Sequence, residues 1–245
     1  MENLEKKAKN LRLKTLDLAL KTGEGHLGGS FSEIELLISL YDKILTKQDK
    51  FILSKGHACY PFYLLLQEKG YDPKITMHPD IDIDNGVCCT TGSLGHGLPI
   101  GVGMAFARKK QEKPGRIYVL IGDGECQEGT TWESSDIAVY HNLDNLTAIV
   151  DFNKVQALDK TKDVSTMNLA DKFKTFGWYV SEINGHDFSE IIPVLEQKPE
   201  GKPYMIIAHT IKGKGVSYME NNPEWHGRKV TLERVKKAYE ELNRS

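Results

Sequence analysis

Two oxygen donors stand where a bound ligand could meet them. Asp123 sits in a Gly122-Asp123-Gly124 turn at the carboxyl end of an apolar run, Ile117 to Ile121. Asn153 sits just past the next such run, Leu146 to Val150. A helix joining two parallel strands makes a right-handed crossover, which tends to set the strands side by side. Ligands of open parallel sheets sit outside the carboxyl ends of the strands. The carboxylate and the amide oxygen are therefore expected to converge. A few hard oxygen donors suit Mg2+, which keeps its other positions for water and phosphate oxygens. Gly122 and Gly124 remove side chains, so backbone amides can approach a phosphate at a helix N-terminus. A turn in which Asp123 and Asn153 only serve as caps is the plainer alternative, and spacing alone leaves it open.

The histidines give a second signal. The chain has 8 of them and 22 glycines in 245 residues, so about 1.4 histidines would neighbour a glycine by chance. His26, His57, His96, His186 and His226 all do. Such positions let the backbone bend and a ligand approach, with imidazoles as hydrogen-bond donors or proton carriers. Each taken singly also reads as an ordinary loop histidine. Lys212 and Lys214 flank glycines in IKGKGVS and suit a phosphate contact or a solvated turn equally. Glu125, Glu128 and Glu133 precede or enter the helix after Gly124, where acidic residues are favourable helix-start charges. Cys88-Cys89 read as small, partly buried thiols.

Apolar spacing predicts the elements that hold these groups. An amphipathic helix over 4–20 ends at Thr22-Gly23, and a glycine loop, GEGHLGGS, follows. Ser32 and Glu35 read as a capping box, with Phe31 and Leu36 as its staple, opening a helix to about Tyr41. A strand at Phe51 to Ser54, a helix from about Ala58 to Gly70, a long loop over 71–94 and a helix from about Gly97 to Glu112 come next. Strands at Ile117–Ile121, Leu146–Val150, Tyr179–Ile183 and Tyr204–Ala208 then alternate with helices. One helix runs through Trp132 to Tyr140, one is capped by Asp187 with Glu190, and a last one spans 232–243 behind Thr231. This alternation implies an α/β fold, a doubly wound and mainly parallel sheet with helices on both faces. No repeat, low-complexity tract or linker interrupts it, so one domain over 1–245 is expected.

Composition excludes several classes. Lys plus Arg is 32 and Asp plus Glu 34, a net charge of −2, which leaves no electrostatic footprint for nucleic acid or an anionic membrane. The four cysteines form neither a disulfide framework nor a C-x-x-C zinc site. The opening MENLEKKAKN lacks the apolar core of a signal peptide, and no apolar stretch nears the ~20 residues of a membrane span. A soluble protein of a reduced, cytoplasmic compartment is expected.

Together the motifs resemble the amino-terminal, diphosphate-binding half of transketolase. More closely, they resemble the first of the two polypeptides of split transketolases, whose halves are separate chains. The resemblance runs from about Leu11 to Arg228. It rests on GEGHLGGSFS at 23–32, FILSKGHACYPFY at 51–63, TTGSLGHG at 90–97, GDGECQEG at 122–129, DFNK at 151–154 and IKGKGVSYMENNPEWHG at 211–227. It implies the thiamine diphosphate-binding fold, with thiamine diphosphate as cofactor and Mg2+, or Ca2+ or Mn2+ in its place. Asp123, Asn153 and the backbone carbonyl of Val155 match the metal ligands. His57, Gly124 and His226 match diphosphate or thiazolium contacts, and Gly122, Glu125 and Lys212 join that cofactor-binding set. Gly92, Ser93 and Leu94 match the segment near the aminopyrimidine. His26, His78 and His226 match the histidines of the sugar channel and are the catalytic candidates for proton transfer and oxyanion stabilisation. Glu128 and Glu133 match a glutamate network at the interface between active sites.

The implied activity is transfer of a two-carbon ketol unit from a ketose phosphate to an aldose phosphate, in pentose phosphate metabolism, with chemistry that belongs to the cofactor. The family's glutamate that activates the aminopyrimidine, and most arginines that hold the sugar phosphate, belong to a pyrimidine-binding domain with no match in this sequence. The resemblance therefore implies a separate C-terminal partner subunit, two copies of each chain in a heterotetramer, and no turnover from this chain alone. Two positions depart from the pattern: His96 replaces the usual glutamine, and VQALDK after Asn153 lacks the usual glycine. A deoxyxylulose phosphate synthase-like half and a degenerate regulatory half are the alternatives. SKGHACYPFY favours transketolase over the first, and the intact Asp123, Asn153, His26, His57 and His78 speak against the second. A haloacid-dehalogenase-like phosphatase needs D-x-D where this chain has Asp123-Gly124-Glu125.

Overall fold

A computed structural model describes residues 1–156, 159–164, 168–227 and 230–244. Its five strands are β1 (Lys50–Leu53), β2 (Ile117–Gly122), β3 (Leu146–Phe152), β4 (Tyr179–Asn184) and β5 (Tyr204–His209). They form one sheet in the order β1-β2-β3-β5-β4, parallel throughout. Every residue of β2 is buried, which is the signature of a parallel strand covered on both faces. Side chains alternate between the two faces with the strand period of two. Phe51, Leu53, Tyr118 and Leu120 enter one apolar layer with Ile149, and Ile52, Ile117, Val119 and Ile121 enter the other with Val150.

Ten helices flank the sheet among the described residues: α1 (Glu2–Thr22), α2 (Leu27–Ser32), α3 (Ile34–Ser39), α4 (Tyr60–Glu68), α5 (Gly97–Lys110), α6 (Gly129–Tyr140), α7 (Thr161–Val164), α8 (Leu169–Phe176), α9 (Phe188–Leu195) and α10 (Leu232–Arg244). Residues of α1 to α4, α9 and α10 fill the first layer, and residues of α5, α6 and α8 fill the second. This is the doubly wound α/β arrangement, with β2 and β3 adjacent as the crossover predicts. No helix among the described residues is long and apolar enough to cross a membrane.

Four local expectations need correction. The second half of the glycine loop is helical, because Leu27 to Ser32 are all buried and pack as α2. The Ser32–Glu35 capping box is absent. Ser32 lies inside α2, and its hydroxyl donates to Gly29 O and to Asp151 Oδ2 at 2.6 Å. Glu35 is buried against Arg12 instead. The helix expected to end near Tyr41 breaks after Ser39 into a π turn over Leu40–Ile44. Asp187 does cap α9, accepting from Ser189 N, but Glu190 reaches Asn184 N rather than completing a box. Helix α8 lies outside the expected elements, although Asn168 caps its start and Gly177 ends it in the left-handed conformation. The 71–94 segment is irregular apart from one turn at Ile83–Asn85 and an Asp82–Val87 bridge. In VQALDK, Ala157 and Leu158 lie outside the described residues; Val155 and Lys160 pair across them.

Candidate active site

Strand register brings the two oxygen donors together. Gly122 pairs with Asp151, so Asp123 and Asn153 leave neighbouring strands within one residue of the same level. Asp123 is 4 % exposed. Its Oδ1 accepts from Gly124 N at 3.0 Å, and its Oδ2 accepts from Lys154 N at 3.0 Å and Thr161 Oγ1 at 2.7 Å. Burial pushes its carboxyl up to about 6, against the pull of the Thr161 hydroxyl. Asn153 donates from Nδ2 to Asp151 Oδ2 at 3.1 Å and accepts from Val155 N at Oδ1 at 3.2 Å. Asp151 thereby fixes which end of the amide faces the site. The carbonyl of Val155 completes the set and accepts from Lys212 Nζ at 2.9 Å.

Two buried lysines supply positive charge. Lys212 is 2 % exposed, and its ammonium also reaches His226 Nδ1 at 2.8 Å. Burial lowers it to about 8. Lys55, equally buried, donates to Gly29 O at 2.9 Å and to Asp151 Oδ2, and pairs with Glu33 Oε2 at 2.8 Å. Burial pushes Glu33 up to about 8 despite that ammonium. Sequence reasoning misses Lys55. The only cue is its place in the SKGH string, and charge patterning gives no sign that a lysine is buried.

The histidines cluster as well. Ring centroids of His26 and His57 lie 5.1 Å apart, His26 and His226 5.6 Å, His57 and His226 5.1 Å, and His26 and His78 6.4 Å. Burial first, and then neighbouring cations and imidazoles, lowers His26, holds His57 well below the usual range and takes His226 down to about 3. Neutral imidazoles result, each able to donate at one nitrogen and accept at the other. His26 Nδ1 is buried and has no hydrogen-bond partner. Close approach explains two glycines. A Cβ on Gly92, at φ 133°, would sit 2.8 Å from the His78 ring, and one on Gly28 would sit 2.8 Å from Trp225 O.

These groups border a cavity of about 210 Å3 lined by Lys55, His57, Leu94, Gly122, Asp123, Gly124, Glu125, Glu128, Asn153, Val155, Lys212 and His226, with Gly29, Gln127 and Gln156 beside them. Glu125 lines it, but its carboxylate is taken up by Ser54 Oγ at 2.5 Å, Gly95 N at 2.9 Å and Gly122 N at 2.7 Å. That carboxylate ties three segments together and shapes the wall. Gly92, Ser93, His26 and His78 are not in the lining. His96 begins α5 exposed and turns its Nδ1 back to Leu94 O at 3.1 Å. Glu133 is exposed on α6. His186 and His209, also beside the sheet ends, pair with Glu35 and Glu182 instead. Two larger hollows, about 340 and 420 Å3, lie around Thr46 and Asp49 and share none of these groups.

The donor set is one carboxylate, one amide and one main-chain carbonyl; among the described residues no group of three His, Cys, Asp or Glu is placed for a metal. Few hard oxygens beside two ammonium groups and a glycine turn fit a divalent cation that shares a diphosphate with the protein. Residues 4–243 match the family model described as transketolase, thiamine diphosphate binding domain. The chain belongs to this transketolase family.

Two similar relatives are single subunits. One subunit of the apulose-4-phosphate transketolase of Actinobacillus succinogenes is 41 % identical, covering 98 % of this chain and 96 % of the relative. One subunit of the 6-deoxy-6-sulfo-D-fructose transketolase of a Clostridium species is 38 % identical, covering 99 % and 97 %. The solved transketolase of Campylobacter jejuni superposes with a TM-score of 0.89 at 31 % identity, covering 99 % of this chain but 43 % of that one. This transketolase-family chain thus spans under half the length of the one-chain enzyme. Helices α5 and α6 pack together, and the turn before α5 and the N-cap of α6 border the cavity through Leu94 and Glu128. The same helices leave Ile100 36 %, Ile137 48 % and Tyr140 79 % exposed.

Proposed function

We propose that this chain is the diphosphate-binding subunit of a split transketolase. In this reading it holds Mg2+ and the diphosphate of thiamine diphosphate and, with a separate C-terminal subunit, transfers a two-carbon ketol unit from a ketose phosphate to an aldose phosphate. The observation that carries the reading is the meeting of Asp123, Asn153 and the Val155 carbonyl in one cavity with the buried ammonium of Lys212. Bound there, the cofactor would supply the carbon–carbon chemistry. Asp123, Asn153 and Val155 O would ligate the metal. Lys212, His57 and the amide of Gly124 would meet the diphosphate, and Gly92, Ser93 and Leu94 would run beside the aminopyrimidine. His26, His78 and His226 would hydrogen-bond sugar hydroxyls and hold or move a proton.

The partner is supported by relatives of nearly equal length that are named as subunits. Glu128, Glu133 and the exposed apolar residues of α5 and α6 are the surface assigned to it, in a complex of two copies of each chain. A cytoplasmic location and a single domain over 1–245 complete the reading. Its test is Mg2+-dependent retention of thiamine diphosphate by the chain purified with its partner. Asp123→Ala should weaken retention on the order of a hundredfold or more, since losing even a residue that only supports a ligand costs roughly 10- to 100-fold. Unchanged retention would remove the metal assignment.

A further inference from the structure

The turn that carries Lys212 is glycine-rich: Gly213 and Gly215 sit at φ 75° and 92°. Glycine backbones lose the most freedom on folding, and the lysine side chain adds its own rotamer entropy. Main-chain bonds from Gly213 N to Gly28 O at 2.9 Å and from Asn221 N to Lys212 O at 3.0 Å hold part of it, and two side chains hold the residues on either side of the lysine. Ile211 N donates to His186 Nε2 at 2.8 Å on one side of Lys212. Arg12 Nε donates to Lys214 O at 3.0 Å on the other. Both anchors meet at one buried carboxylate: Arg12 Nη2 reaches Glu35 Oε1 at 2.8 Å, and His186 Nδ1 lies 3.0 Å from Glu35 Oε2. All three side chains are at most 11 % exposed.

The bonding fixes the imidazole. A backbone amide can only donate, so Nε2 of His186 is bare and Nδ1 carries the hydrogen that Glu35 accepts. Burial favours a neutral Glu35, but Arg12 and then His186 outweigh it and keep the carboxyl below the usual range. The three residues come from α1, α3 and the β4–α9 connection, so the anchor is the scaffold of the fold.

We propose that the Arg12–Glu35–His186 triad is a clamp that sets the Lys212 ammonium in the site, with His186 as the positioning residue. The proposal rests on the reading of Lys212 as a diphosphate contact, and the test separates the two. Thiamine diphosphate affinity in saturating Mg2+ is measured on the chain with its partner, for His186→Leu, Lys212→Met and the double variant. Lys212→Met should weaken binding about tenfold or more, and His186→Leu about tenfold, in line with the loss of groups that orient ligands. In the Lys212→Met background His186→Leu should cost less than about twofold, because a residue acting only through Lys212 has nothing left to position. His186→Gln, which keeps an acceptor for Ile211 N, should recover most of the affinity. His186→Asn, which keeps the donor to Glu35 and loses that acceptor, should behave like leucine and replaces it if the leucine variant does not fold.

If His186→Leu binds like the native chain while Lys212→Met is weak, the clamp is wrong. An equal loss in both backgrounds also overturns it, since His186 then acts by another route. If Lys212→Met itself binds normally, the diphosphate reading of that lysine fails, and the clamp with it.

Discussion

At the floor of the cavity Asp123, Asn153, Lys55 and Lys212 are at most 5 % exposed; Asp123, Lys55 and Lys212 bond to groups from other strands and turns, and Asn153 to Asp151 of its own strand. At the rim Leu94 is 38 % exposed, and the helices that lead away from it, α5 and α6, leave Ile100 36 % and Ile137 48 % exposed. Buried charge is stable only when paired and hydrogen-bonded, so the floor has to be organised before any ligand arrives. Apolar residues on a rim face no such demand and gain only when another surface covers them. On the proposed reading, the difference separates what this chain completes by itself from what it leaves to a partner.

The largest disturbance of the floor should come from Lys55→Met. It leaves the carboxylate of Asp151 buried without its ammonium, a loss of about 3–5 kcal/mol for a broken buried pair. The melting temperature should fall by roughly 10 °C, measured by calorimetry. A fall of only a degree or two would mean that the floor tolerates unpaired charge.

Glu33→Gln sharpens the comparison through pH. Burial raises the Glu33 carboxyl from its ordinary 4.5 to about 8, so the folded chain holds a proton that the unfolded chain releases. Its contribution to stability is complete below 4.5 and is lost as pH rises through about 8. The slope attributable to it is up to about 1.4 kcal/mol per pH unit. Subtracting the stability profile of Glu33→Gln from that of the native chain should isolate this descending limb. Parallel profiles would show that Glu33 is ionised in the fold.

The smallest effect on the chain itself belongs to the exposed apolar residues of α6. Ile137→Ser should change melting by no more than about 0.5 kcal/mol equivalent, as surface substitutions do, while lowering the yield of partner on capture. A loss of stability with capture unchanged would put Ile137 in service of the fold.

Much of this was legible in the sequence. Apolar runs located β2, β3 and β5, and the crossover rule set β2 beside β3, which brought Asp123 and Asn153 within one residue of the same level. The histidine–glycine neighbours pointed to His26, His57 and His226, which do cluster, but equally to His186, which the fold spends on Glu35. What stayed hidden was decided by tertiary burial. Helix α2 forms from glycines of poor helix propensity because all its residues are buried. Ser32 and Glu35 had the spacing of a cap, yet each met a stronger partner, Asp151 and Arg12, from far along the chain. Lys55 looked like any charged residue, and only three-dimensional pairing shows why it is inside. Helix α8 is a different case: Asn168 and Gly177 were in plain view as its start and stop.

The most direct test is native mass spectrometry of the chain captured from its own cells with Mg2+ in the buffer. The account predicts a second polypeptide bound to it, and a mass difference equal to thiamine diphosphate with its metal. The chain alone, or associated only with itself and carrying no cofactor, would contradict the division between a self-sufficient floor and a rim built for a partner.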